Sequence, residues 1–452
     1  MTDSGFDRRR LLLGGLGAAS LPLVAAACAR DDGAGGSDPA EFANASIGDA
    51  PAARNVRDFG ATGDGTTDDT AAIARAFDGL TGPTAVYLPT GTYRVTSWPA
   101  MPDYATLSGD GADVTTVLYE QNGTLIELRD AQRVNFRRMG FFLTGPTATG
   151  IVLAGCFRCS FDSVTIRGNH SSATFPQFVE QRGIVLSDNT GGTTLTNCDI
   201  NNFGIGLTTR TIQNYVTASK FTSNRVGVLG TGGDFTAGLA LTNVEFVSDN
   251  DRNTTDKHLV VDGPANDWWL TNVWFEGSDV AVSVGSPDVG GPSQFGMVNC
   301  KVAARTTCIE LRYCRQPYLA NVILDPDPNS TPAEVVIDPV HTPTGTAINL
   351  ISGANDDVDF AAFPPDWTVI GRGAAAGATY SGTVVARATG TDDLIRTERD
   401  GRTTAVVRPD GTWVSDDPEA GVVLKDSDGG YWRLVVGTDG ALRTDSLGRT
   451  RP

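Results

Sequence analysis

A repeat of about 21 residues in the middle of the chain constrains the fold more than any other feature. The stretches GIVL and GIGL begin at Gly183 and Gly204, and Ile184, Ile205 and Val226 follow one another at intervals of 21 residues. A second motif, L-T-N-x-x-F, recurs between them, as LTNCDI (195–200), LTNVEF (241–246), LTNVWF (270–275) and, less closely, MVNCKV (297–302) and LANVIL (319–324). One such unit cannot bury its apolar face alone, so the repeat predicts a solenoid of stacked units, here called rungs.

The residues of the repeat favour strands over helices. Val, Ile, Leu and Phe alternate with polar residues over short runs, and Gly, Asn, Asp and Thr separate the runs. Each rung should therefore contribute two or three short parallel strands, which makes the chain an all-β protein. We expect eight apolar anchors to form one inward column: Ile151, Ile184, Ile205, Val226, Leu259, Val280, Ile309 and Val335.

A short helix should cover the first rung, whose apolar interior and strand edge would otherwise face water. Asp68 or Asp69 suits the N-cap position, and Ile73, Ala76 and Phe77 form one apolar stripe. These signals predict an amphipathic helix from Thr70 to Phe77.

The same segment resembles a known family. The runs DFGATGDGTTDDTAAI (58–73) and VYLPTGTYRV (86–95) resemble the start of the rhamnogalacturonase/epimerase-like pectate lyase domain of the pectate-lyase superfamily. The resemblance extends from Asn55 to about Ile351, as a repeat pattern after the first 40 residues. It implies a single-stranded, right-handed parallel β-helix that is exported to act on a polysaccharide. Asp64, Asp68 and Asp69 belong to the family's structural signature, and capping and turn roles are favoured over calcium binding or catalysis.

The resemblance brings no active site with it. The chain has neither the G-H-G motif of polygalacturonases nor the W-I-D-H run of classical calcium-dependent pectate lyases. No cofactor is implied, no metal site is assigned, and no motif supports calcium. A hydrolase or lyase and a non-catalytic glycan-binding or structural β-helix therefore both remain open.

The N-terminus reads as an export signal over residues 1–28. Arg8, Arg9 and Arg10 precede an apolar run, which resembles a twin-arginine signal, and VAAAC resembles a lipobox that ends at a lipidated Cys28. Ala-x-Ala cleavage and release is the alternative. Residues 29–53 look like a flexible tether. We expect an extracellular protein that is either lipid-anchored at the cell surface or secreted.

Charge restricts the partners. The formal net charge is −18, so nucleic acid phosphates and anionic lipids would be repelled, and contact with a membrane is expected only through the lipid on Cys28.

After a cap with the first rungs (54–130) and the β-helix (131–370), residues 371–452 lose the period. Four Asp-Gly pairs there predict hairpins. This module suits an end cap, an oligomerisation surface or a glycan-binding unit, and a homotrimer is left open.

Six cysteines remain after Cys28. In an exported chain an even number permits disulfides, for which Cys156 with Cys159 and Cys308 with Cys314 are the nearest candidates. Cys198 and Cys300 occupy inward positions and are expected to be core residues.

The candidate site follows from the repeat. The residue before the final Phe or Ile of L-T-N-x-x-F should point outward, which predicts an outer column of Thr165, Asp199, Lys220, Glu245, Trp274 and Lys301. Asp199 and Glu245 would then lie two rungs, or about 9.6 Å, apart, near the separation of the acid and base of an inverting glycosidase. Glu276 lies in the next column and joins Asp199, Lys220 and Glu245 as a candidate catalytic residue. An Asp-Lys-Glu ladder is also favourable by itself, so a structural role competes with catalysis.

Substrate-binding residues complete the hypothesis. Two insertions, Arg167–Gln181 and Val247–Lys257, should project from one edge and form the walls of a cleft over this column. His170 and His258, assigned to these walls, and the outward Trp269 and Trp274 are the candidates for holding sugar rings. The asparagines of the L-T-N motif should sit at bends and have a structural role.

Overall fold

The computed structural model describes residues 53–232, 238–325, 333–352, 362–370, 378–379, 393–399, 402–415 and 421–450. The predicted export signal with Cys28, and the tether up to residue 52, lie outside the described residues. The chain divides into a unit Met1–Arg54 and a unit Asn55–Pro452, and the architecture below is that of the second.

The predicted capping helix is confirmed. A 3₁₀ helix spans Val56–Phe59 and an α-helix, α1, spans Thr70–Phe77, with Ile73, Ala76 and Phe77 buried. The Asp68 carboxylate accepts a hydrogen bond from the Thr70 amide at 3.0 Å. Asp69 occupies the N-cap position, but its buried carboxylate binds the amides of Thr62 and Gly63 instead, at 2.6 and 3.0 Å. Both aspartates therefore have structural partners.

The other described residues of this unit up to Ile370 form a parallel β-helix of about 11 turns, which confirms the parallel solenoid that the repeat predicts. Strands of successive rungs pair in register and form three rows. The first row contains β7 (Gly123–Arg129), β9 (Ala148–Ala154), β11 (Arg182–Ser187), β14 (Ile205–Thr209), β17 (Val226–Gly230), β20 (Lys257–Val261), the second halves of β22 (Trp274–Val284) and β24 (Lys301–Leu311), and β27 (Ala333–Ile337).

The second row carries the L-T-N strands. It contains β1 (Arg54–Asn55), β3 (Thr84–Leu88), β5 (Ala105–Gly109), the first halves of β8 (Asn135–Leu143) and β10 (Ser160–Arg167), β12 (Thr194–Thr196), β15 (Asn214–Thr217), β18 (Leu239–Thr242), β21 (Trp268–Thr271), β23 (Phe295–Val298), β25 (Pro317–Ala320), β28 (Thr346–Ile348) and β30 (Thr368–Ile370), which pairs antiparallel with β31 (Ala378–Thr379).

The third row carries the x-x-F strands. It contains β2 (Asp64–Asp68), β4 (Gly91–Val95), β6 (Thr115–Tyr119), the second halves of β8 and β10, β13 (Asp199–Asn201), β16 (Lys220–Thr222), β19 (Glu245–Val247), the first halves of β22 and β24, β26 (Ile323–Leu324) and β29 (Ile351–Ser352).

The motif side chains fill the interior in stacks. The rings of Phe221, Phe246 and Phe275 lie parallel, with centroids 4.9 and 4.8 Å apart, and all three are fully buried. Cys198 and Cys300 are buried, as predicted. The disulfide candidates are not bonded, because all six described cysteines are free thiols.

One part of the predicted register is wrong. Ile184 pairs with Leu207, while Ile205 pairs with Arg182 and Val226. The predicted anchor Val280 is also wrong, because Leu259 pairs with Val282 instead. The true inward column is therefore Ile151, Ile184, Leu207, Val228, Leu259, Val282, Ile309 and Val335. The cause is a stack of glycines: a Cβ on Gly183 would lie 2.4 Å from the Gly206 carbonyl oxygen, so Gly183 matches Gly206 rather than Gly204.

The second and third rows meet at a bend that we call the asparagine corner. Asn197, Asn243, Asn272, Asn299, Asn321 and Asn349 have positive φ there, and Ala218 takes the same position in its rung. The Asn272 amide donates to the Asn243 side-chain oxygen at 2.6 Å, and Asn349 donates to Asn321 at 2.6 Å. The predicted structural role is confirmed, since asparagine tolerates this backbone conformation and bonds to its neighbour.

The C-terminal segment forms two antiparallel sheets. One contains β32 (Ile395–Arg399), β33 (Arg402–Val407) and β34 (Trp413–Ser415), and the other β35 (Val423–Lys425), β36 (Tyr431–Val436) and β37 (Leu442–Gly448). The predicted turns at Asp410-Gly411, Asp428-Gly429 and Asp439-Gly440 are confirmed, each with a positive-φ glycine, whereas Asp400-Gly401 lies outside the described residues. Within the described ranges, no helix has the length and apolarity to cross a membrane.

Candidate functional site

The outer column is confirmed in full. Strand pairing aligns Thr165 with Asp199, Asp199 with Lys220, Lys220 with Glu245, Glu245 with Trp274 and Trp274 with Lys301. The next residue of each third-row strand is inward and buried, as in Ile200 and Phe221, so the column faces solvent. Glu276 pairs with Val247 in the neighbouring outward column.

A groove with a volume of about 960 Å³ runs along the asparagine corner beside this column. Its lining includes Lys220, Glu245, Trp274, Lys301 and Ile323, together with four corner asparagines and Asp325. From Lys220 to Ile351 the groove crosses five rung steps, about 24 Å in total. Asp199 and Glu276 lie outside its lining.

Each groove lysine is paired with a carboxylate. The distance from Lys220 Nζ to Glu245 Oε2 is 2.6 Å, and that from Lys301 Nζ to Asp325 Oδ2 is 2.9 Å. The bond to Glu245 raises the pKa of Lys220. Lys301 Nζ also lies 4.5 Å from the Trp274 ring centroid, and Trp274 Nε1 donates to Glu276 Oε2 at 3.1 Å. The groove thus holds an indole fixed between two charged groups, and it has no surplus of positive charge.

Asp199 is a partly buried carboxyl group of the column. Burial raises its pKa, against the opposing effects of a hydrogen bond from Asn201 and the charge of Lys220. The negative charge of Asp113 adds to the increase. A carboxyl group with a raised pKa beside an exposed carboxylate is the arrangement that lets one group donate a proton and the other accept one.

The predicted cleft between the two insertions is wrong. His170 Nε2 lies 2.8 Å from the Thr254 carbonyl oxygen, and both residues are buried. Arg225 stacks on Phe175 at 5.0 Å and donates to the Arg252 carbonyl. The insertions do project from the same edge, but they meet over the two rungs between them. The open groove lies at the other end of the third-row strands.

The two histidines are not available to a substrate. His170 is 0% and His258 is 2% exposed, which overturns the prediction that they line a cleft. His258 donates from Nε2 to the Glu276 carbonyl at 2.7 Å and packs against Phe246 and Phe275. It occupies the position that Gly227 takes in the preceding rung, where a Cβ would lie 2.8 Å from the Phe246 ring.

The two tryptophans lie on different rows. Trp274 is in the groove, whereas Trp269 lies on the second row, and they are 43% and 42% exposed. Sequence reasoning missed Asp325 and Ile323 as lining residues. The signal was present, because LANVIL is a motif copy whose outward position is Ile323 and whose following residue is Asp325.

A comparison with known protein families gives a match to the first half of the solenoid. Residues 53–234 match the family described as rhamnogalacturonase A/epimerase, pectate lyase-like. The match covers 182 of the 452 residues of the chain. This confirms the resemblance drawn from residues 58–95. The matched residues of the pectate lyase-like domain include Asp199 and Lys220 but end before Glu245, Trp274 and Lys301.

Individual relatives cover less. The chain is 60% identical over 43 residues to mannuronan C5-epimerase AlgE5 of Azotobacter vinelandii, which is 9% of this chain and 4% of the epimerase. It is 42% identical over 75 residues to a probable glucan endo-1,3-beta-glucosidase of Arthroderma benhamiae, 14% of this chain and 8% of that protein. The solved A-module of mannuronan C-5 epimerase AlgE6 from Azotobacter vinelandii is 16% identical, with a TM-score of 0.46, over 73% of this chain and 96% of that one.

The described part of the chain contains no group of three or more His, Cys, Asp or Glu side chains arranged to hold a metal ion. The two carboxylates of the groove, Glu245 and Asp325, are each paired with a lysine.

Proposed function

We propose that this protein acts on a polysaccharide that lies along the groove at the asparagine corner and extends past Lys220 to Asp199, with the chemistry of a glycoside hydrolase. The observation that carries the proposal is the register of the outer column, which sets Asp199, Lys220, Glu245 and Trp274 one above another along the β-helix axis. The pectate lyase-like domain and partial relatives named as an epimerase and a glucosidase support a glycan as the ligand.

In this proposal Asp199 is the general acid and Glu245 the general base. Asp199, whose pKa is raised by burial, gives a proton to the glycosidic oxygen as the carbon–oxygen bond breaks. Glu245 accepts a proton from the water whose oxygen attacks the anomeric carbon. Two rungs, about 9.6 Å, separate the two positions. This is near the upper end of the distances between the two carboxyl groups in glycosidases that invert the configuration of the sugar.

Lys220 and Trp274 position the reacting groups. Lys220 lies between the acid and the base in the column, and its pairing with Glu245 holds that carboxylate in place. Trp274 offers a ring face in the next rung for stacking on a sugar. Hydrolysis is favoured over a lyase reaction because a lyase must bind a uronate, and both groove lysines are already paired with carboxylates.

The test is turnover across a panel of polysaccharides: 1,3-glucans, mannuronan and polygalacturonate. Release of reducing ends without ultraviolet absorbance from unsaturated products would support a hydrolase, and such absorbance would indicate a lyase. Asp199→Asn and Glu245→Gln should each lower the rate at least about 100-fold. Glu127→Gln is the matched control, because Glu127 is 42% exposed on a strand and paired with Arg129. Unchanged turnover in Glu245→Gln would reject this site.

A non-catalytic glycan-binding role is the second candidate. It is favoured by the two lysine–carboxylate pairs, which satisfy each other without a substrate and could be a structural ladder. Binding without turnover on any polymer of the panel would support this role.

We also propose export and attachment at Cys28, on the basis of the twin-arginine-like and lipobox-like segments. The protein should partition into the detergent phase of Triton X-114, and Cys28→Ala should move it to the aqueous phase. Aqueous partitioning of the unaltered protein would favour release after Ala-x-Ala cleavage.

A further inference from the structure

The outward side chains of the second row form a second surface, distinct from the groove. It consists of two columns on β12, β15, β18, β21, β23, β25 and β28, which we call the second-row face. The columns are Thr194, Tyr215, Ala240, Trp269, Gly296, Tyr318 and Thr346, and Thr196, Thr217, Thr242, Thr271, Val298, Ala320 and Ile348.

None of these residues is charged, although the chain has a net charge of −18 and charged residues make up 19% of it. The face crosses six rung steps, about 29 Å along the axis. The part nearest the middle of the solenoid combines threonine hydroxyls with aromatic rings, which is a polar but uncharged surface. A charged polymer would find no counter-charge here, whereas hydroxyl groups would find donors and acceptors.

Large and small residues alternate in the first column. Tyr215, Trp269 and Tyr318 are 40%, 42% and 38% exposed, and Ala240 and Gly296 stand between them. The Trp269 ring lies over Gly296, where a Cβ would come within 2.6 Å of the ring. The small residue therefore lets the indole lie against the sheet and present its outer face to solvent.

The alternation gives the rings a period of two rungs, about 9.6 Å. This is close to the length of a disaccharide unit in an extended glycan, so successive units of one chain could stack on successive rings. Tyrosine and tryptophan suit such contacts because each presents a large rigid ring with a polar edge. The column beside them supplies threonine hydroxyls at Thr217, Thr242 and Thr271.

We infer that the second-row face binds a neutral linear polysaccharide, which lies parallel to the β-helix axis and stacks on Tyr215, Trp269 and Tyr318. The inference rests on the proposed function in taking a glycan as the ligand, and it adds a second contact surface and the class of polymer. A partner protein or a second copy of the chain is less suited to the face, since neither requires a two-rung period.

The experiment is affinity electrophoresis of the full chain in native gels that contain one polysaccharide each. Hydroxyethyl cellulose and a soluble 1,3-glucan are the neutral probes, and alginate and polygalacturonate the anionic ones. We expect retardation by a neutral probe that persists in 0.5 M salt, because stacking is not screened as ion pairs are.

Trp269→Ala should weaken binding to that probe at least about tenfold, and Trp269→Phe should restore most of it. Trp413→Ala is the matched control, since Trp413 is 78% exposed and lies on β34, in a sheet separate from the strands of the face. Unchanged binding in Trp269→Ala would overturn the inference, as would retardation by the anionic probes alone.

Self-association is tested by sedimentation of the same variants. If Trp269→Ala converts an oligomer into a monomer, the face is an interface between copies and the inference fails. The proposed function is tested separately by turnover: loss of activity in Glu245→Gln with normal binding in Trp269→Ala would leave the groove proposal standing and remove this one. Absence of binding and turnover with every probe would remove both.

Discussion

The buried His258 should make the fold sensitive to acid, and the size of the effect follows from its surroundings. Burial lowers the pKa of His258 from the ordinary 6.5 to about 4, and the charge of Arg305 acts in the same direction. The ring stays neutral in the folded protein, whereas in the unfolded chain it binds a proton below pH 6.5. Stability is therefore complete above pH 6.5 and is lost as the pH falls toward 4.

The lowering of about 2.5 pKa units corresponds to about 3 kcal/mol of unfolding free energy at pH 4, at about 1.4 kcal/mol per unit. His258→Gln can keep the donor to the Glu276 carbonyl but cannot take a proton. The free energy of unfolding in urea, measured from pH 7.5 to 4, should fall about 3 kcal/mol less in this variant than in the wild type.

The control is His341→Gln, because His341 is a partly exposed histidine paired with Asp338. The fall in unfolding free energy between pH 7.5 and pH 4 should differ from that of the wild type by less than about 1 kcal/mol in this variant. His170 is also buried with a lowered pKa and stays unaltered in both proteins, so its contribution cancels. Equal pH dependence in wild type and His258→Gln would refute the reasoning.

Three further predictions concern the stacks, the corner and the column, and urea unfolding at pH 7.5 measures each. Phe246→Ala removes the central ring of a buried stack and should cost about 3 to 5 kcal/mol, and a loss below 1 kcal/mol would mean that the stack rearranges. Asn272→Ala should lower the free energy of unfolding by about 1 to 2 kcal/mol, and Asn272→Gly should lower it less, because glycine adopts the φ of 54° at this position without strain. A larger loss in the glycine variant than in the alanine variant would argue against backbone strain. Lys220→Met should change stability by less than about 1 kcal/mol, because Lys220 is 60% exposed, and a larger loss would show that the ladder is structural.

The sequence was most informative where a motif fixes both ends of a strand. In L-T-N-x-x-F the asparagine marks the bend and the phenylalanine marks the interior, so the direction of each residue between them is determined. That is why the order of Asp199, Lys220 and Glu245 could be predicted. The first-row register failed by two residues at Ile205 because GIVL and GIGL look alike in two alignments, and only the contact between Gly183 and Gly206 separates them.

The insertions could not be predicted in the same way. Their meeting depends on contacts such as His170 with Thr254, which are 84 residues apart in the chain and belong to no repeat. Burial of His258 was hidden for a related reason, since its position is taken by glycine in the four preceding rungs. Where the period breaks, the pattern of the chain carries no information about which surfaces touch.

In the stacked architecture, the distance between two outward side chains of one column is set by the number of rungs between them. Every rung pairs only with its neighbours, so one complete 21-residue rung, such as 205–225, could be removed while the interior above and below kept its pattern. The rung of Asp199 would then pair directly with the rung of Glu245. The gap between the two carboxyl groups would shrink by one step of about 4.8 Å. In such a solenoid the separation of two functional groups changes only in steps of one rung. Duplication or deletion of a rung can therefore change that separation in evolution without altering the pattern of the core.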